Sequence, residues 1–347
     1  MEYGSFFDGR ANLGFERSSA ARLPEDWQLW RSGRDAMKAL ARLAGAKRVL
    51  LPALCCASMI VPFALNGVSV EFYRLREDLR GDADDVRAKC RRGDLLLYMS
   101  YMGIQPFDDA FLERLRTDGV LLAEDRTQDI IVPRGSAGFV PDATLASLRK
   151  WAALPEGGML QTRLGACPAG RDTAFAEACR EAMDRKARYL ESGEAALKTA
   201  FLQQYRGAEA LLDQDGTPAA MGAESRDILA RLDFGAIYAA RLRNVRRLRE
   251  RLEPLRARGA LRFLSNTPEK STLYFPLLLE DRNAVQRAMA EKAIYCPVIW
   301  PEPAEAAGVC AVSRAVTAHM LALPVDQRYD EAQIDFFADS LVQILGI

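Results

Sequence analysis

The sequence predicts an α/β fold, with a mostly parallel central sheet flanked by helices and a small C-terminal α+β domain after it. Three observations lead there. Between Lys47 and Thr162, short apolar runs of strand length alternate with segments of helical character. Those runs are nearly continuously apolar, as expected for parallel strands covered on both faces. The 347 residues, 49% of them apolar, are enough at roughly 150 residues per domain for about two domains with a sizeable core.

Residues 1–24 read as an arm, with Phe6, Phe7 and Phe15 available as anchors and Pro24 closing it. A helix is expected from Asp35 to about Leu43, entered through Ser32-Gly33-Arg34. A strand, Lys47 to Leu51, ends at Pro52, and a helix from Ala57 to Leu65 stops at Asn66-Gly67. Val68–Tyr73 is strand-like, Asp94–Ser100 an apolar strand, Asp109–Thr117 a helix and Gly119–Ala123 another apolar strand. Ala143–Leu148 is a further strand, and the turn Pro155-Glu156-Gly157-Gly158 leads into a hairpin-like strand, Met159–Thr162.

After Asp172 the pattern is mainly helical, broken near Asp215-Gly216-Thr217-Pro218. Leu242, Val245, Leu248, Leu252 and Leu255 recur at helical spacing. Opposite that stripe, Arg241, Arg243, Arg246, Arg247, Arg249 and Arg251 are expected to form a solvated face. From about Leu261 the order is strand (Thr272–Leu279), helix (Asn283–Lys292), strand (Ile294–Ile299), strand (Met320–Leu323) and a last helix (Asp330–Leu345). The domain boundary is placed inside the long helix near residue 240, giving a large domain over 25–240 and a small one over 241–347.

Composition prunes the chemistry. With 47 Lys+Arg against 47 Asp+Glu, the chain lacks the basic excess of a nucleic-acid binder. Seven cysteines with no C-x-x-C pair argue against a disulfide framework or structural zinc. His319 is the only histidine, so any Ser-His-Asp or Cys-His mechanism would need it. Beside Met320-Leu321-Ala322-Leu323 it reads as structural. Neither G-x-G-x-x-G nor a P-loop occurs. The most apolar stretch, Val49–Leu65, is interrupted by Pro52 and Pro62 and falls short of the about 20 residues a membrane span needs. The acidic, aromatic start Met1-Glu2-Tyr3-Gly4 lacks the basic region of a signal peptide, so a cytoplasmic protein is expected.

Two segments carry chemistry. In Leu121-Leu122-Ala123-Glu124-Asp125-Arg126-Thr127-Gln128 an apolar strand ends on acidic residues; in Ala146-Ser147-Leu148-Arg149-Lys150-Trp151 another ends on Ser-x-x-Lys. Ligands of open α/β sheets sit beyond the carboxyl ends of strands, where both Asp125 and Lys150 would lie. The pairing suits pyridoxal 5'-phosphate (PLP). A lysine amine condenses with the cofactor's aldehyde, and an aspartate keeps the pyridinium nitrogen protonated. Ser32-Gly33-Arg34-Asp35 at a helix start offers backbone N–H groups to a phosphate, and Ser147 adds a hydroxyl. Ser-x-x-Lys also occurs in serine β-lactamases, but no Ser-Asp-Asn or Lys-Thr-Gly follows.

In order and spacing these pieces resemble the DegT-type sugar aminotransferases, a branch of the fold-type-I PLP enzymes. Ser32-Gly33-Arg34-Asp35-Ala36-Met37 is similar to that family's phosphate-cupping helix start, and Leu51-Pro52-Ala53-Leu54 to its proline segment after a strand. Asp125-Arg126-Thr127-Gln128 is similar to its Asp-Ala-Ala-Gln/His. Gly157-Gly158 after Lys150 matches its Gly-Gly turn, and Met320-Leu321-Ala322-Leu323-Pro324 its closing Leu-Pro strand.

The resemblance implies that Lys150 is the catalytic residue and bears the covalent link to PLP. It further implies that Asp125 pairs with the pyridinium nitrogen, Gln128 reaches the ring oxygen, Thr127 packs on one ring face, and Gly33, Arg34 and Ser147 hold the phosphate. It implies a homodimer with interfacial active sites. The activity implied is transfer of an amino group from an amino acid, glutamate first, to a keto acceptor such as a nucleotide-linked keto sugar. The family's sugar dehydratases carry histidine in place of the lysine, so Lys150 disfavours that variant.

The sequence also departs from the family. Leu54-Cys55-Cys56-Ala57 lacks the aromatic that stacks on the ring, so a cysteine or another residue takes that place. Arg126-Thr127 replaces Ala-Ala, and the serine stands only three residues before the lysine. Elimination or racemisation on the same cofactor, and a binding protein on an aminotransferase fold, are the alternatives. Arg149 either binds a carboxylate or pairs with Glu156. Trp300, Tyr98 and Tyr101 are read equally as site or core aromatics.

Overall fold

A computed structural model describes residues 2–131, 138–264, 270 and 272–346. The chain starts with β1 (Tyr3–Gly4), β2 (Trp27–Trp30), α1 (Gly33–Ala44), β3 (Arg48–Pro52), α2 (Ala57–Ala64), β4 (Ser69–Tyr73) and α3 (Ala83–Lys89). It continues through β5 (Leu95–Met99), α4 (Asp109–Thr117), β6 (Leu121–Asp125), β7 (Ala143–Ser147) and β8 (Gly158–Thr162). Seven of these strands form one sheet in the order β2-β8-β7-β6-β5-β3-β4. The pairs from β4 through β7 are parallel, whereas β8 runs antiparallel to both β7 and β2. Leu95, Leu96 and Leu97 of β5 and Val49, Leu50 and Leu51 of β3 are fully buried. This is the signature of strands covered on both faces.

A helical section follows: α5 (Ala174–Ser192), α6 (Ala195–Leu211), α7 (Ala223–Arg231) and the long α8 (Phe234–Ala257). Beyond it, β9 (Arg262–Phe263), β10 (Tyr274–Leu278), α9 (Arg282–Glu291), β11 (Ile294–Tyr295), α10 (Ala311–His319), β12 (Met320–Pro324) and α11 (Glu331–Leu345) build the C-terminal part. There β12-β10-β9 form an antiparallel sheet, and β1 of the arm pairs in parallel with β11. Strand alternation divides β12 between two cores: Met320 and Ala322 face the large one, Leu321 and Leu323 the C-terminal one. Helix α8 is divided likewise, with Ile237 packed beside Ala146, Leu148 and Met159, and Val245, Leu248, Leu252 and Leu255 in the C-terminal core. Among the described residues no helix is long and apolar enough to cross a membrane.

Several expectations are corrected. β6 spans Leu121–Asp125 rather than Gly119–Ala123 because Gly119 has φ +86°, a turn conformation that ends the preceding helix. β11 stops at Tyr295, well short of Ile299, with Pro297 beyond it unable to donate to a ladder. The helical section also breaks at Gly193, φ 73°, and between α7 and α8. β2, α3 and α10 add elements the sequence reading lacks.

The arginines of α8 do not form one solvated face. Arg241 is only 1% exposed, lies over the Trp151 ring with its Cζ 4.6 Å from the centroid, and donates to Gln327 Oε1 (2.9 Å) and the Leu273 carbonyl (3.1 Å). Arg249 lies over Phe263, while Arg247 makes a two-pronged pair with Asp335. Leu242, placed in the buried stripe by the spacing, is only partly covered.

Candidate active site

The carboxyl ends of β6 and β7 lie side by side, with Asp125 opposite Leu145. At that edge one cavity is lined by Ser32, Gly33, Arg34, Asp125, Thr127, Ser147 and Lys150, together with Arg149, Glu209 and Trp300. Six of the seven residues expected from the sequence therefore share one space. Gln128 instead lines an adjoining larger cleft, which Arg149, Lys150 and Trp300 also border. Its Oε1 accepts from the Met102 N–H at 3.0 Å.

Asp125 is buried at the floor, where its Oδ1 accepts the Thr127 N–H at 2.8 Å. Burial pushes its carboxyl above the usual aspartate range, opposed by the Thr127 hydrogen bonds and the charge of Lys150. Thr127 cross-links the two strand ends: Oγ1 accepts the Ser147 N–H at 3.0 Å and its carbonyl accepts Trp151 Nε1 at 2.7 Å. The turn carrying Lys150 is further tied by Leu148 N to the Gly157 carbonyl (2.8 Å) and Gly157 N to the Arg31 carbonyl (2.9 Å).

Helix α1 opens onto the same space. Ser32 is its N-cap, accepting the Asp35 N–H at 3.2 Å and donating to Asp35 Oδ2 at 2.6 Å. Behind the helix Arg31 grips both Asp35 oxygens at 3.0 Å, and Lys38 donates to the Leu212 carbonyl at 2.7 Å. Glycine is required where β8 passes the helix start, since a Cβ on Gly158 would overlap the Ser32 carbonyl. A Cβ on Gly33 would stand 3.1 Å from that of Ser147, so these two walls already touch closely.

This donor set fits PLP. A primary amine, a buried carboxylate, a hydroxyl, a helix N-terminus and two guanidiniums surround one cavity, and the buried Nε of Arg149 has no hydrogen-bond partner among the described residues. If PLP were bound, Lys150 and Asp125 would be the groups for its aldehyde and ring nitrogen, and Gly33, Arg34 and Ser147 those for its phosphate.

Arg149 does not pair with Glu156. It pairs with Glu209 at 2.9 Å, and Glu156 accepts from Gly222 N (2.8 Å) and Ser225 Oγ (3.0 Å). Tyr98 and Tyr101 are core residues, the latter donating its hydroxyl to the Leu54 carbonyl. Trp300 borders both cavities, and Cys56, Met59 and Met99 complete the apolar wall. His319, the last residue of α10, has its Nδ1 3.0 Å from the Leu279 carbonyl. Sequence reasoning misses Glu209: it sits inside a helix with no motif around it, and only folding brings it to the cavity.

A scan against protein-family models finds no match, and neither does a comparison with curated proteins. Solved structures do match. The architecture is that of the fold-type-I aminotransferases. More particularly, it is the fold of the DegT/DnrJ/EryC1/StrS aminotransferases. An aminotransferase of that group from Brucella abortus aligns with a TM-score of 0.63 at 15% identity, covering 92% of this chain and 86% of its own. A protein from Streptococcus pneumoniae assigned as a sugar aminotransferase, in its PLP form, aligns at 0.65 and 12% identity, covering 95% and 93%. The ntda protein of Bacillus subtilis with bound PMP aligns at 0.67 and 14%, covering 92% and 73%. At such identities the likeness establishes the fold.

Proposed function

We propose that this protein is a PLP-dependent aminotransferase, moving an amino group from an amino acid donor, glutamate first, to a keto acceptor such as a nucleotide-linked keto sugar. The observation that carries the proposal is the meeting of Lys150 and Asp125 in one cavity beside the start of α1. When bound, PLP supplies a carbonyl that takes up the amino group and a ring that accepts electrons. Asp125 holds the proton at the ring nitrogen, and the Thr127 N–H fixes its carboxylate. Lys150 Nζ moves the substrate proton at the cavity mouth, where it can reach both spaces. Gly33, Arg34 and Ser147 bind and orient the phosphate end. A homodimer belongs to the same proposal, and sedimentation velocity giving only monomer at every concentration would remove it.

Purified protein mixed with PLP is expected to turn yellow, and borohydride reduction to leave the cofactor mass on the Lys150 peptide. Lys150→Ala is expected to stay colourless and unmodified. Glutamate should then release 2-oxoglutarate and leave the pyridoxamine form. A colourless wild type with unmodified Lys150 overturns the cofactor assignment and leaves a binding protein. A yellow enzyme that no amino donor converts to the pyridoxamine form overturns transamination in favour of another PLP reaction.

A further inference from the structure

Glu209, on α6, sends its carboxylate between the two guanidiniums that border the cavity. Its Oε2 lies 3.2 Å from Arg34 Nη1, and its Oε1 accepts from Arg149 Nη2 at 2.9 Å. Arg34 Nη1 also donates to the main-chain carbonyl of Glu209 at 3.0 Å, so this arginine grips the residue at both ends. Asp213, one turn on, lies 3.5 Å from Arg34 Nε. The Arg149 head is held over the Phe175 ring, 4.8 Å from its centroid. Burial alone would raise the Glu209 carboxyl, but Arg149 and Arg34, with Lys150 behind them, hold it below the usual glutamate range. It is therefore an anion at neutral pH, facing the same space as Gly33 and Ser147.

We propose that Glu209 is a built-in occupant of an anion cup formed by Arg34 and Arg149, and that a phosphate monoester entering the cavity competes with it for those two side chains. The cup is complete without a ligand because the protein supplies its own carboxylate. An incoming dianion meets a like charge and finds both guanidiniums engaged, so its affinity is set by how readily Glu209 yields. The inference deepens the cofactor reading, resting on it for the identity of the ester but not for the anion chemistry.

The test compares wild type with Glu209→Gln, which keeps the shape and removes the charge, in titrations with PLP, pyridoxal and inorganic phosphate. The variant is expected to bind PLP and inorganic phosphate at least about tenfold tighter, equivalent to about 1.4 kcal/mol. Pyridoxal, which lacks the phosphate, should change by less than about twofold on the same scale. Should Glu209→Gln unfold, Glu209→Asp keeps the charge but is too short to bridge both arginines, and a gain of at least about threefold for phosphate is expected. Unchanged or weaker phosphate binding in the folded variant overturns the proposal, as does an equal gain for pyridoxal. If the variant binds phosphate more tightly but PLP never joins Lys150 in either protein, the cup stands and the cofactor reading fails. If PLP joins Lys150 yet binds the variant no tighter than wild type, the cofactor reading stands and the cup fails.

Discussion

Trp151 Nε1 donates to the main-chain carbonyl of Thr127 at 2.7 Å. That bond ties the segment carrying Lys150 to the one carrying Asp125, and the indole is fully buried. Trp151→Phe fills most of the space but leaves the Thr127 carbonyl without its donor. The loss of an N–H to a buried acceptor costs about 1–3 kcal/mol. Denaturant unfolding should show that cost, and borohydride labelling of Lys150 by PLP should slow in step as the two strand ends lose their common tether.

Asp125→Asn separates stability from function. The amide still accepts the Thr127 N–H, while the charge that burial disfavours is removed. The variant is expected to melt at or above the wild-type temperature. Its transamination should fall on the order of a hundredfold or more, because a neutral amide no longer favours charge on the ring nitrogen. A clear loss of stability with activity retained would contradict the role given to Asp125.

Gly158→Ala tests the close approach of β8 to α1. With the new Cβ overlapping the Ser32 carbonyl, the helix start must move off the sheet. A destabilisation of about 1–3 kcal/mol is expected from such overpacking. A weakened affinity for inorganic phosphate should accompany it, since Gly33 moves with Ser32.

Asp326 anchors the arm indirectly. Arg328 donates to both of its oxygens, at 2.7 and 2.9 Å, and to the carbonyls of Phe6 and Ser5 at 3.2 and 3.3 Å. Burial pushes the Asp326 carboxyl up, but Arg328 and then Arg241 outweigh this and hold it low. Asp326→Asn breaks a largely buried pair, and a loss of about 3 kcal/mol is expected at neutral pH. A carboxyl held low stabilises above the ordinary aspartate value of about 3.9 and loses that contribution as pH falls through its own pKa. The gap between variant and wild type should therefore close in acid, and limited proteolysis within residues 5–15 should speed up at neutral pH.

Lys186 gives a response of the same sign in a different, alkaline window. Burial, aided by Arg328, lowers its amine to about 8 against the pull of Glu2, Asp8 and Asp326. Between that value and the ordinary lysine value of about 10.4, the unfolded chain holds a proton that the folded chain has released, so stability rises with pH. Relative to Lys186→Met, wild type should gain up to about 1.4 kcal/mol per pH unit from pH 8 to pH 10. A flat difference across that range would show that Lys186 stays charged in the fold.

Much of the site is legible in the chain because it lies at strand ends. Asp125 closes an apolar run, and Ser147 and Lys150 close and follow another, so period and polarity alone place them beyond the carboxyl edge of a parallel sheet. The start of α1 is legible for the same local reason: Ser32 before Gly33 is a cap pattern, and here it caps Asp35. Where local pattern is weak, the reading fails. Gly119 sits between a helix and a strand, and only its left-handed φ assigns it to the turn. In α8 the stripe of Val245, Leu248, Leu252 and Leu255 is legible, but the charge of Arg241, one turn before Val245, reads as solvated, and only the fold supplies the Trp151 ring and Gln327 that accompany its burial.

By itself the sequence determined the alternation of strands and helices, the order of the chemical groups along it, and the strand ends on which Asp125 and Lys150 stand. These are local properties, governed by side-chain periodicity and turn chemistry. Only the tertiary structure decided which charges are buried and with whom they pair. Glu209 reaches Arg149 across 60 residues of chain and Arg34 across 175, and Trp151 receives Arg241 from the far side of the helical section. Such partners are chosen by the packing of distant helices onto the sheet, because a buried charge persists only where the folded chain brings a counter-charge or carbonyl to it.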